Sequence, residues 1–228
     1  MKLELLDAYN IRARLSASII LLAPIAITVF VCFDEIHNIA TSAVFIGLFL
    51  AFTNYIPILL RMVYGSKQYS VNYAAEFLMP SDPTISLNSK HRYYEILADL
   101  ETSFELFLHP DDTDEFRKCC ESAVAYLKTR TREDHLVQEE NINYGFCRNL
   151  LRSKYIGILI CISMCCLIAV YSLLTYESIS EIPTVHYFAF ATNIVMILFW
   201  CVGVTQRALD NTAKTYARTL IAAIDTLK

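Results

Sequence analysis

NYGFCRNLLRSK at residues 143–154 runs without a break into YIGILICISMCCLIAVYSLLTY at residues 155–176, and the chain changes character at Lys154. Before that point the segment carries basic and amide side chains. After it come 22 positions without Asp, Glu, Lys or Arg, about the ~20 residues that an α-helix needs to cross a bilayer.

Three other stretches have the same property: residues 15–33, 38–60 and 187–206. Together they explain why 55% of the chain is hydrophobic and its mean hydropathy is +0.40, far from the composition of an ordinary soluble domain. The pattern predicts an all-α integral membrane protein with four transmembrane helices: TM1 15–33, TM2 38–60, TM3 155–176 and TM4 187–206. Their length, and the sequence Cys32-Phe33-Asp34-Glu35 after the first run, argue against a cleaved leader.

Charge sets the expected orientation, because cytoplasmic flanks of spans collect Lys and Arg. All 19 fall before TM1, between Arg61 and Lys154, or after Gln206. The loops Asp34 to His37 and Glu177 to His186 hold none and are expected outside. Both termini are then cytoplasmic. This gives an N-terminal segment with TM1 and TM2 over 1–64, a helical cytoplasmic insert over 65–150, TM3 and TM4 within 151–206, and a C-terminal cytoplasmic helix over 207–228. None of the eight cysteines sits in an outer loop, so no disulfide framework is expected.

The insert reads as helical. Tyr93, Leu97, Leu100, Phe104 and Phe107 recur at four and three, the period of one amphipathic helix, and a second follows Asp111 and Asp112. In the tail, Leu209, Ala213, Tyr216, Leu220, Ala223 and Leu227 keep the same alternation. Such a seam packs either on the chain's own insert or on further copies about a symmetry axis, as an oligomerisation seam.

Polar groups within the apolar runs are candidate pore-lining residues: Thr53 and Asn54 in TM2, Thr192 and Asn193 in TM4. The alternative for them is hydrogen bonding between helices. No charged residue lies within a span, which argues against a proton-coupled pump.

Arg130, Arg132, Tyr144, Arg148, Asn149, Arg152 and Lys154 are ligand-binding or gating candidates. The cations suit an anionic ligand or lipid headgroups, and Tyr144 suits base stacking. Gly65 to Leu150 nevertheless carries nine Lys or Arg against fifteen Asp or Glu, which disfavours general nucleic-acid binding. Arg130 and His135 share the Arg-x4-His spacing of some helical ribonucleases, a spacing that a solvated helix end also produces. With no phosphate-cradling glycine loop, no nucleophile elbow and no Cys-x-x-Cys or His-Glu-x-x-His motif, the chain is read as a non-enzyme without metal or cofactor.

The motif Asn143-Tyr144-Gly145-Phe146-Cys147-Arg148-Asn149-Leu150, followed by Lys154-Tyr155-Ile156-Gly157-Ile158, resembles a segment of small bacterial four-span antiphage-defence proteins. These include the Hailong-type membrane effector and the Kiwa membrane component. The resemblance covers about 15 residues, and the layout of spans, insert and tail agrees with it. It implies a homo-oligomeric gated ion channel or pore-forming effector in the inner (plasma) membrane, a tetramer for preference, controlled by a nucleotide or oligonucleotide at the cytoplasmic domain. A non-conducting sensor or scaffold that recruits a cytoplasmic partner protein is the alternative.

Overall fold

The computed structural model describes residues 9–33, 36, 38–64 and 71–227. Lys2, Asp34, Glu35, His37, Gly65, Lys67 and Lys228, which entered the charge and boundary arguments, lie outside the described residues. Those described form helices and connecting turns, with no strand among them.

Four helices are long and apolar enough to cross a membrane. The first begins with a π-helical turn, Asn10–Leu15, and continues as α1, Ser16–Cys32. The others are α2 (Ile39–Tyr64), the apolar part of α6 (His135–Thr175), and α7 (Thr184–Leu198), which ends in a second π-helical segment, Phe199–Gly203. Between α2 and α6 come α3 (Tyr73–Leu78), α4 (Leu87–Leu100), a 3-10 segment (Thr102–Leu108) and α5 (Asp114–Arg130). After the second π segment, α8 (Gln206–Ala222) and a 3-10 turn (Ala223–Thr226) close the chain.

The chain divides into a four-helix unit, Met1–Lys67 with Gly145–Ala208, and an insert unit, Gln68–Tyr144 with Leu209–Lys228. Helix α6 runs unbroken for 41 residues through polar and apolar sequence alike. The apolar face of the tail joins the insert's core.

The expected continuous helix over Tyr93 to Phe107 is a correction of a different kind. Glu101 is extended (φ −158°, ψ 132°), so α4 stops at Leu100. A 3-10 segment then takes over, and its three-residue period keeps Phe104 and Phe107 on one side. The next helix is capped by Thr113, whose hydroxyl accepts from Phe116 N at 3.2 Å, and not by Asp111 or Asp112. Asp114 and Glu115 in the first turn, and Lys128 and Arg130 in the last, complement the helix dipole.

The insert core is aromatic. Tyr94, Phe104, Phe107 and Phe116 are buried with ring centroids 5.3 to 6.1 Å apart, mostly edge to face. Ala217, Leu220, Ile221 and Ile224 from the tail join them. Lys90 is only 1% exposed, and its ammonium donates to the carbonyls of Met79 and Asp82, pinning the loop that follows α3. Burial lowers the Lys90 pKa, with Asp82 and Asp112 opposing.

Candidate functional site

At one end of the four-helix unit, side chains from α6 reach the backbone of both neighbouring irregular turns. A π-helical turn departs from the usual i to i−4 pairing, and such turns often mark functional positions. At the first π segment, Asn149 Nδ2 donates to Ala13 O at 2.8 Å. Beside it, Arg148 Nη2 donates to Tyr9 Oη at 3.1 Å. At the second, Lys154 Nζ donates to Val204 O at 2.7 Å and to Cys201 O at 3.2 Å.

Two glycines make the fit possible. A Cβ at Gly145 would come within 2.6 Å of Tyr9 Oη, and one at Gly157 would fall into the indole of Trp200. Trp200 is fully buried and sits on the second π segment, so α6 and the end of the fourth span meet through a bare backbone and a large ring. The residues of the NYGFCRNLLRSK stretch from Gly145 onward are therefore drawn together at one end of the unit. Arg152 is half-buried on the same helix.

Tyr144 lies in the insert unit. Its ring stacks on Tyr216 at 6.0 Å with an interplanar angle of 5°. Both line a cleft of about 220 Å³ together with Asn72, Tyr73, Lys128 and Ala213. A second cleft of about 430 Å³ also has Tyr73 in its wall and adds Glu76, Asp82, Thr84, Lys214 and Arg218. The Tyr73 hydroxyl has its pKa raised by burial and by the Asp210 carboxylate, to which it hydrogen bonds. Lys214 Nζ lies 5.2 Å from the Tyr73 ring centroid. Sequence reasoning named Tyr144 and missed Tyr73, Lys128 as its neighbour, and Lys214. Tyr73 follows the 65–70 connector with no periodic pattern to single it out.

Arg130 is engaged locally: its Nε donates to Tyr126 Oη at 3.0 Å and its guanidinium lies over that ring. Arg132 is exposed in the turn before α6. Neither lines the clefts described above.

The candidate pore-lining residues separate into two sets. Asn193 is fully buried between α7 and α1, with Nδ2 donating to Ala189 O at 2.9 Å and Thr28 Oγ1 at 3.3 Å. Thr53 is fully buried and donates to Leu50 O. Asn54 is exposed on α2, and Thr192 is half-buried with its hydroxyl on Phe188 O.

The tail seam also finds its place. Leu209, Ala213, Leu220 and Ala223 are buried, while Tyr216 and Leu227 pack partly buried against the insert core. Within the insert unit that face packs on the chain itself, the intramolecular arrangement of the two expected.

No family model, curated protein or solved structure matches the chain. Among the described residues no cluster of three or more His, Cys, Asp or Glu is placed to hold a metal ion.

Proposed function

We propose that the protein is a homo-oligomeric gated ion channel or pore of a bacterial inner membrane, with both termini in the cytoplasm. The observation that carries this reading is the grip of α6 on two π-helical turns through Asn149 and Lys154. A π turn held by one side chain has an obvious second arrangement, in which the side chain leaves and the turn rewinds to α-helical pairing. Gating needs such a bistable element. In this reading the element lies at the cytoplasmic mouth, the side on which Lys and Arg collect.

The stimulus in this reading is a nucleotide or oligonucleotide. The resemblance to four-span antiphage-defence proteins supports it, as does the cleft that brings Lys128 beside the stacked Tyr144 and Tyr216. The acidic balance of the insert favours a second reading, a non-conducting scaffold that recruits a basic partner protein.

Conductance of the purified protein in planar bilayers separates the two, with and without nucleotide extracts from cells that carry it. Ligand-sensitive current that Lys154→Met shifts toward the open or closed level supports the channel. Silence from well-folded oligomer, with capture of a partner that Tyr144→Ala releases, supports the scaffold.

A further inference from the structure

We propose that Cys161 and Cys165 of α6, with the Trp200 indole beside them, form a site for one soft monovalent metal ion, copper(I) or silver(I), held between two thiolates inside the four-helix unit.

The two thiols stand four residues apart on one face of α6, and both are buried, Cys161 completely and Cys165 at 8% exposure. Positions i and i+4 of an α-helix hold their Cβ atoms about 5 to 6 Å apart. A disulfide needs about 3.5 to 4.5 Å between them, so a bridge within this helix is disfavoured. Two thiolates on opposite sides of a metal, each about 2.3 Å from it, stand about 4.6 Å apart. Rotation of the two side chains from those Cβ positions reaches that distance.

Buried cysteine also serves as a small apolar filler, and a neighbouring polar group separates the two roles. Trp200 is fully buried, and its Nε1 has no hydrogen-bond partner. The ring lies over Gly157, four residues before Cys161 on α6, and the ring atom nearest to where a Gly157 Cβ would stand is Cε2, which is bonded to Nε1. Trp200 and Cys161 pack in one apolar cluster, which brings the indole N–H within reach of the sulfur without bonding to it. A neutral thiol is a weak acceptor, and a thiolate is a charged one. An orphaned donor in a dry cluster is costly, and a metal-bound thiolate at 161 removes that cost.

The donor set selects the ion. Thiolates prefer soft ions, whereas magnesium and calcium prefer oxygen ligands. Structural zinc takes four ligands, and among the described residues no group of three or more His, Cys, Asp or Glu comes together. A soft monovalent ion is satisfied by two sulfurs. As it binds, each thiol gives its proton to water: one cation enters, two protons leave, no electron moves, and the site ends with one net negative charge facing the Trp200 N–H. The Met196 thioether, another soft donor, packs against the same cluster. The proposal goes beyond the channel reading and does not depend on it, because every group it uses lies within the four-helix unit of one chain.

Retention of copper(I) by the full chain in detergent, dialysed without oxygen against a copper(I) chelator, tests it. One copper(I) per chain is expected by native mass spectrometry, with two sulfur neighbours in the X-ray absorption spectrum. Cys161→Ser and Cys165→Ser, each nearly isosteric, lose the ion. Cys119→Ala combined with Cys120→Ala, which removes the adjacent thiols of the insert, keeps it. Trp200→Phe deletes the N–H and keeps a ring, and weakens retention about tenfold, the scale of one hydrogen bond to a charged group. Should a Ser variant fail to fold, a chain that retains Cys161 and Cys165 while the other six of its eight cysteines are Ala still holds one ion. Absence of retained copper from the parent overturns the proposal, and so does undiminished retention in either Ser variant. Loss of the ion from the folded Cys119 and Cys120 variant, or zinc(II) retained as tightly as copper(I), overturns it as well.

Discussion

The two units of this chain are both helical and are held together by different physics. In the insert unit, water drives Phe104, Phe107, Phe116 and Tyr94 together, and each large buried side chain contributes about 1.5 to 3 kcal/mol. In the four-helix unit, on the membrane reading proposed above, the surroundings are as apolar as the side chains, so burial of Leu or Ile gains little. Close packing and hydrogen bonds between helices must do the sorting. The contacts differ accordingly. The four-helix unit has Gly157 under Trp200, Asn193 on Thr28, Ser172 Oγ at 2.9 Å from His186 Nδ1, and Lys154 on two carbonyls. A buried amide is glue in the four-helix unit and a liability in the insert.

Four measurements break or sharpen this contrast. The largest effect belongs to the aromatic core: Phe107→Ala or Phe116→Ala should cost about 3 to 5 kcal/mol. Hydrogen exchange of the full chain in detergent should localise that loss to the insert and leave the amides of residues 155–175 as protected as before. Next, Gly157→Val forces a methyl-bearing side chain against Trp200 and should cost about 1 to 3 kcal/mol, lowering the melting temperature of the four-helix unit. If it leaves that temperature unchanged, close packing is not what holds the spans.

The third effect depends on pH. Burial pushes the Cys120 thiol from 9.0 up to about 12, so the folded insert keeps a proton that the unfolded chain releases. Stability from this group is complete below pH 9.0 and is lost as pH rises toward 12, at up to about 1.4 kcal/mol per pH unit. The lowered Lys90 pKa acts in the opposite sense below 10.5, adding stability as pH rises. Denaturant unfolding across this window should therefore show a shallower alkaline loss in Cys120→Ala than in the parent. The smallest effect is that of Asn193→Leu, about 0.6 and at most about 2 kcal/mol, because membrane hydrogen bonds are modest. A cost well above that range would mean that polar contacts outweigh packing in the four-helix unit.

How much of this was legible follows from the same contrast. The four apolar runs are written as absences of charge, and the helices fall on them within a few residues. The seam Leu209, Ala213, Leu220, Ala223 was visible as a face, whereas periodicity carries no information on what covers it; the aromatic core of the same chain does. Asn54 and Asn193 looked equivalent in sequence, each an amide beside a threonine in an apolar run. Only packing separates them, with Asn193 enclosed by α1 and Asn54 on the open side of α2. The grip of Lys154 on Val204 could not be read at all, because it depends on a π-helical turn whose residues, Phe199 to Gly203, are ordinary span residues. Glycine was the one available signal: Gly157 follows the sequence boundary at Lys154 by three positions.

That glycine also bears on how the sequence can drift. Any side chain at 157 collides with the Trp200 ring, and a smaller residue at 200 leaves a void where the ring was. Each single step is therefore penalised, while Gly157→Leu combined with Trp200→Ala restores the filled volume. The two positions should exchange only as a compensated pair, so relatives of this chain would divide into two packing lineages with few intermediates between them.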